Sequence, residues 1–314
     1  VFVSFNFKSD LTRTACHESA VIRATIPDLI PAGAVRKDTK DIVSLTCKTK
    51  RVCVTSASSN PFKKGDCSGI DGLGDSYETY KISGSKASKE QQIKMLIARE
   101  MAECWTTLGQ GNLQIFSREI TVKDQNAKLV VCTRMMFDKS VTDEIPKITG
   151  LNDYLLRYKV PTKEISYWDY FRNTPDGDTL QMVSGDPLKT VSQIDDSLNL
   201  SKHQAIFYME TSLSSMGKFV GEVAGVVTTV GVIGAITGGA GFKAAMAFPA
   251  LSTAGLLIIG KVSGDVGDTF ANWLSGETER FGEAKQVSGV FLTDYTKEGF
   301  TFEKNLNVEF ENIP

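Results

Sequence analysis

The sequence predicts an α+β fold, braced by disulfides, that carries a glycine-rich transmembrane helical hairpin. Three observations lead there. An apolar stripe at helical spacing between Lys89 and Leu108 is followed by a β-rich run from Leu129 to Phe137. Cysteines number six, an even count, at positions 16, 47, 53, 67, 104 and 132. Two long uncharged runs, Val223 to Phe242 and Ala244 to Gly260, stand apart from everything else in the chain. The 314 residues are enough for one or two domains with a substantial core. The chain divides into an ectodomain (1–211), the hairpin (212–264), and a juxtamembrane helix with strands returning to the ectodomain (265–314).

Element by element, VFVSFNF at the start reads as a first strand or as the tail of a removed signal or anchor. Lys48, Lys50 and Arg51 form a short basic cluster expected at a solvated hairpin turn. The helix over Lys89–Leu108 has Ser88 and Gln91 in a capping-box pattern and Gly109 as its stop. Its stripe of Ile93, Leu96, Ile97, Met101, Cys104, Trp105 and Leu108 faces a core, so Trp105 is read as core. Two shorter helices are expected near Ile148–Tyr158 and Thr162–Phe171, the second with packed aromatics Tyr167, Trp168, Tyr170 and Phe171. Strands are expected at Ala205–Met209, Val287–Tyr295 and Leu306–Phe310. Asp265–Lys285 reads as an amphipathic helix. Its Trp273 suits a lipid–water interface, and equally the packed face of an ordinary helix.

The hairpin expectation rests on length. At 1.5 Å per residue the two runs would reach about 30 and about 26 Å, close to a bilayer's hydrocarbon thickness. Gly238, Gly239, Gly241 and Lys243 offer a reversal point between them. Gly217, Gly221 and Gly225 recur at every fourth position, and Gly234 and Gly238 repeat that spacing. Small residues so placed let helices approach closely, which points to packing against the partner arm or other copies. Pro249 would kink the second arm. The same composition also suits a hairpin buried in, or stored inside, a soluble protein.

Chemistry is sparse. G-x-S-x-G, H-E-x-x-H and P-loop patterns are missing, and so is a G-x-G-x-x-G following a strand. No cysteine pair has C-x-x-C spacing and only His17 and His203 are present, so neither a metal site nor a cofactor is expected. The glycine-rich stretch Gly69–Asp75, with Asp66, lacks the order of a calcium loop and reads as a turn. Cys16 beside His17 could suggest a nucleophile and its base, but in a strand the two would point to opposite faces and a disulfide would consume the thiol. Structural disulfides in an oxidising compartment are the better reading, with the pairs Cys16–Cys47, Cys53–Cys67 and Cys104–Cys132 expected. Only the last follows from an argument, that the helix stripe lies on the Leu129–Phe137 strand. The sequon Asn199-Leu200-Ser201 is compatible with an exterior location. A net charge of −2 gives no global pull toward nucleic acid.

Glu103–Phe116 (ECWTTLGQGNLQIF), the cysteine-bearing strand with Cys132, Phe137-Asp138 and the later glycine-rich apolar segment together resemble uncharacterised archaeal membrane-anchored cell-surface proteins. Thr106-Thr107 departs from that pattern, where further aromatics would be expected. The resemblance implies a surface-exposed, disulfide-containing domain on a membrane anchor, and no catalytic residues. The expectation is then a non-enzymatic structural component of a homo-oligomeric cell-surface or envelope assembly. Its partners would be the lipid membrane and itself, and its soluble domain would be extracellular. The alternative is a pore-forming protein whose hairpin inserts on demand.

Overall fold

A computed structural model describes residues 7–29, 44–56, 67, 77–111, 113, 115–116, 127–172, 197–212, 229–237, 286–295 and 308–310. In chain order the elements are α1 (Phe7–Leu29), β1 (Lys50–Ser56), β2 (Glu78–Ile82), α2 (Lys86–Thr107), β3 (Ala127–Phe137), α3 (Lys139–Thr142), β4 (Lys147–Ile148), α4 (Leu151–Arg157), α5 (Tyr167–Arg172), β5 (Leu198–Asn199), β6 (His203–Ser212), β7 (Thr229–Thr237), β8 (Gln286–Tyr295) and β9 (Val308–Phe310). The fold is mixed α+β.

Seven strands form one sheet, in the order β2-β1-β3-β6-β8-β7, with β9 also paired to β3. The β2, β1 and β3 strands run parallel, whereas β3, β6, β8 and β7 alternate in direction. β3 is long enough to serve three neighbours. Along one edge β1 pairs with its second half and β9, in parallel, with Ala127–Leu129, while β6 runs antiparallel beside it. Alternation sorts the side chains into two buried sets. Val54, Val130, Ile206, Tyr208, Val290 and Leu292 join the core shared with α2, α4 and α5. Cys53, Leu129, Val131, Phe207, Met209 and Phe291 are equally buried but lie outside that cluster, and Phe207 stacks on Phe291 at 5.4 Å.

α2 begins a turn earlier than its sequence suggests. Gly84 turns the chain out of β2 with φ +97°, and Ser85 caps the helix by accepting the Ser88 amide at 3.4 Å. Gln92, not Gln91, reaches back, donating to the Ser83 carbonyl at 2.7 Å and accepting the Ser83 amide at 3.3 Å. The stop is at Gly109, with φ +84°. A Cβ there would also lie 2.3 Å from Leu113 Cγ.

The transmembrane helical hairpin is overturned. Thr229–Thr237, the centre of its first arm, is β7, paired antiparallel with β8 from Thr229↔Thr293 to Thr237↔Gln286. Six of its nine residues are β-branched (TVGVIGAIT), and such side chains lose rotamer freedom in a helix but fit a pleated sheet. Gly234 is no helix-packing residue: the register slips between Ile233 and Ala235, leaving Gly234 as the extra residue of a β-bulge. Among the described residues no helix is long and apolar enough to cross a membrane. The hairpin was the ground for placing the protein in a membrane, and a strand at the centre of its first arm removes that ground. Gly217, Gly221, Gly225, Gly238, Trp273, the second arm, the 265–285 helix and the Gly69–Asp75 turn lie outside the described residues.

Candidate functional site

The three disulfides form in the pairs expected from the sequence, and one of them, Cys104–Cys132, ties the helical layer directly to the sheet. Cys16 of α1 joins Cys47, Cys53 of β1 joins Cys67, and Cys104 of α2 joins Cys132 of β3. Cys16 and His17 sit on a helix, not a strand. The thiol is in its disulfide, and His17 donates from Nδ1 to the Thr107 carbonyl at 2.8 Å. The chain entering β1 follows α1 closely, its Thr46 hydroxyl donating to the Ala15 carbonyl at 2.8 Å and its amide to Ser19 Oγ at 3.1 Å.

Where α2 crosses β3, a second bulge places two successive side chains on the same face. Val131 pairs with Phe207 and Thr133 with Ile206, so Cys132 is the extra residue. Cys132 bonds to Cys104, and one helical turn away the Thr133 hydroxyl donates to Glu100 Oε2 at 3.1 Å. Lys50, the register partner of Thr133 on β1, donates from Nζ to Glu100 Oε1 at 2.7 Å. Lys50 is therefore not in a solvated hairpin turn. It opens a strand with parallel neighbours on both sides, and it also approaches Glu78 at 3.3 Å and Glu103 at 3.8 Å.

Burial by itself would lower the Lys50 ammonium, but Glu100 and Glu103 outweigh it and hold its pKa above the ordinary value. Glu100 is only 1% exposed, and burial pushes its carboxyl up, with Lys50 pulling back and Glu103 adding to the rise. The two shifts favour opposite forms of the pair. Two hydrogen bonds, and the Arg99 guanidinium 3.6 Å away, make the ionised carboxylate the form at neutral pH.

The outer face of α2 borders an open cleft of about 660 Å³, flanked by α1 and the Val160–Tyr170 segment. Arg13, His17, Arg99 and Lys163 line it, with Glu103 as its one carboxylate. Arg13 pairs with Glu103 at 2.8 Å. Arg99 lies over the Tyr80 ring at 5.6 Å and Lys163 over the Tyr170 ring at 5.1 Å. Of the aromatics read from the sequence, Tyr167 and Tyr170 reach this cleft while Trp168 and Phe171 fill the core behind it. Trp105 is fully buried, 6.1 Å from Tyr208, as core.

Sequence reasoning missed this cleft because its residues come from three separated segments, each polar and unremarkable by itself. The Gly109-Gln110-Gly111 stretch after α2 was the one available signal, and only the fold shows the positive backbone angle at Gln110. Among the described residues no three His, Cys, Asp or Glu side chains gather to hold a metal ion. No protein-family profile, curated protein or solved structure matches the chain.

Proposed function

We propose that the protein is a non-catalytic building block of a homo-oligomeric assembly in an oxidising compartment. The observation that carries this reading is β7, which among the described residues ends the strand order of the sheet and has no charged residue along its nine positions. Terminal strands that must stay single are normally guarded by charge, proline or a very short length. An uncharged one invites strand addition, and a second copy meeting β7 antiparallel satisfies both edges by symmetry. Three disulfides, anchored in α1, in β1 and between α2 and β3, support a subunit braced for an oxidising setting. The resemblance of Glu103–Phe116 and the Cys132 strand to archaeal surface proteins agrees with it.

Native mass spectrometry tests the proposal. The wild-type chain is expected as a dimer or larger, and Thr229→Lys with Thr237→Lys, which adds charge to both ends of β7, should shift it to monomer. The thermal midpoint, corrected for concentration, should change little. A monomeric wild type at tens of micromolar would end the proposal, and an oligomer indifferent to the two lysines would remove β7 as the contact.

A further inference from the structure

The cleft beside α2 has the size of a small-molecule site, which runs from about 300 to about 1,000 Å³. Its charge is lopsided. Glu103 is already engaged by Arg13, while Lys163 has no carboxylate partner among the described residues. The Arg99 Nε–H has no hydrogen-bond acceptor, although its guanidinium lies within ion-pair distance of Glu100, at 3.6 Å, and of Glu103, at 4.0 Å. A second observation is independent of charge. Among the described residues only two non-glycine positions have a left-handed backbone, Gln110 at φ 57° and Thr162 at φ 68°. Gln110 lines the cleft, and Thr162 lies between Pro161 and Lys163, which also line it. Such conformations cost free energy and gather where a surface is shaped for a ligand. Val160, Pro161 and Ala102 give the same cleft an apolar wall.

We propose that this cleft binds a small organic oxyanion, a carboxylate or phosphate ester on an apolar body, through the Arg99 and Lys163 side chains. The oxyanion takes charge-assisted hydrogen bonds from guanidinium and ammonium, and the apolar body lies against Val160 and Pro161. The left-handed turns at Gln110 and Thr162 hold the two rims at the separation the ligand needs.

Titration calorimetry and amide chemical shifts with benzoate and phenyl phosphate test it, with benzyl alcohol as the uncharged counterpart and inorganic phosphate as the bare oxyanion. Benzoate or phenyl phosphate should saturate and move the Thr106, Gln110 and Lys163 amides, with benzyl alcohol and inorganic phosphate each at least about tenfold weaker. Lys163→Gln and Arg99→Gln should each weaken binding by about tenfold, the worth of one charge-assisted hydrogen bond. Lys163 is exposed and outside every hydrophobic cluster, so its variant keeps the test valid if Arg99→Gln fails to fold. No saturable binding of either acid, or equal binding by wild type and Lys163→Gln, would overturn the proposal.

Discussion

Lys50 and Glu100 show how much one buried pair depends on its whole surroundings. Glu100 is held in the ionised form by the Lys50 ammonium at 2.7 Å and the Thr133 hydroxyl at 3.1 Å, against the cost of its burial. Removing only the cation leaves the cost and takes away the compensation. Lys50→Met should therefore destabilise the fold by about 3 kcal/mol at pH 7, the low end for a broken buried pair because Lys50 keeps 24% of its side chain in solvent. The sign of the pH effect follows from the Glu100 shift. A carboxyl whose folded pKa is raised contributes most when protonated, and that contribution is lost as pH rises through the folded value. The deficit of Lys50→Met should thus shrink as pH falls, because the unpaired carboxyl, raised by burial and no longer pulled down by the Lys50 ammonium, takes up a proton above the ordinary carboxylate range. Urea unfolding of both chains at pH 7 and pH 4.5 measures it, and an equal deficit at the two values would mean that Glu100 is not the residue left stranded.

At the scale of elements, α2 and β3 form the joint on which the rest is arranged. The helix was legible because its apolar residues repeat at 3.6, and β3 because Leu129–Phe137 is a compact β-rich run; together they led to the Cys104–Cys132 pair. The bulge at Cys132 was not legible, since a bulge is a property of pairing with β6 and leaves no local pattern. It is the bulge that lets the disulfide and the Thr133–Glu100 bond meet the same helix one turn apart. Replacing Cys104 and Cys132 together by alanine should cost about 3–4 kcal/mol, from loop entropy over a separation of 28 residues. It should also loosen the Glu100 site. The check is hydrogen exchange at the β3 amides beside the bulge, which should quicken more than exchange in β8. Uniform quickening across the sheet would instead mark the disulfide as a global staple with no local role.

For the whole molecule, several groups are held in forms that favour protons. Tyr154 is pushed up to about 12, by burial first and then by Tyr167 and Tyr158. Burial also raises Tyr167 and Tyr170, and it raises Tyr208 well beyond the usual tyrosine value. Lys50 is raised as well, by its carboxylate neighbours against its burial. All five bind their protons more tightly folded than unfolded. Their contribution is present in full below about pH 10, where unfolded tyrosine and lysine start to titrate, and is lost as pH rises toward 12. Tyr154 by itself accounts for on the order of 2 kcal/mol of that loss. The thermal midpoint should stay level from pH 8 to 9.5 and then fall steeply, with tyrosinate absorbance at 295 nm rising in step with unfolding. Tyrosinate appearing well before unfolding would show the rings to be more accessible than their burial implies.

The sequence by itself determined what depends on neighbours along the chain. That covers α2 and its glycine stop, the β-rich runs that became β3, β6 and β8, and through the helix stripe laid on β3 the Cys104–Cys132 pair. Periodicity, capping and composition act within about one turn or one strand, so they can be read without the fold. Tertiary structure decided the rest. An uncharged glycine-rich run long enough for a membrane helix became in part a strand because β8 was there to pair with it. Lys50 left an expected turn for a parallel strand because β2 and β3 flank it, and Glu100 then had a buried charge to meet. Pairing partners and buried charges are set by residues far apart in sequence, and the free energy that selects them exists only once those residues are brought together.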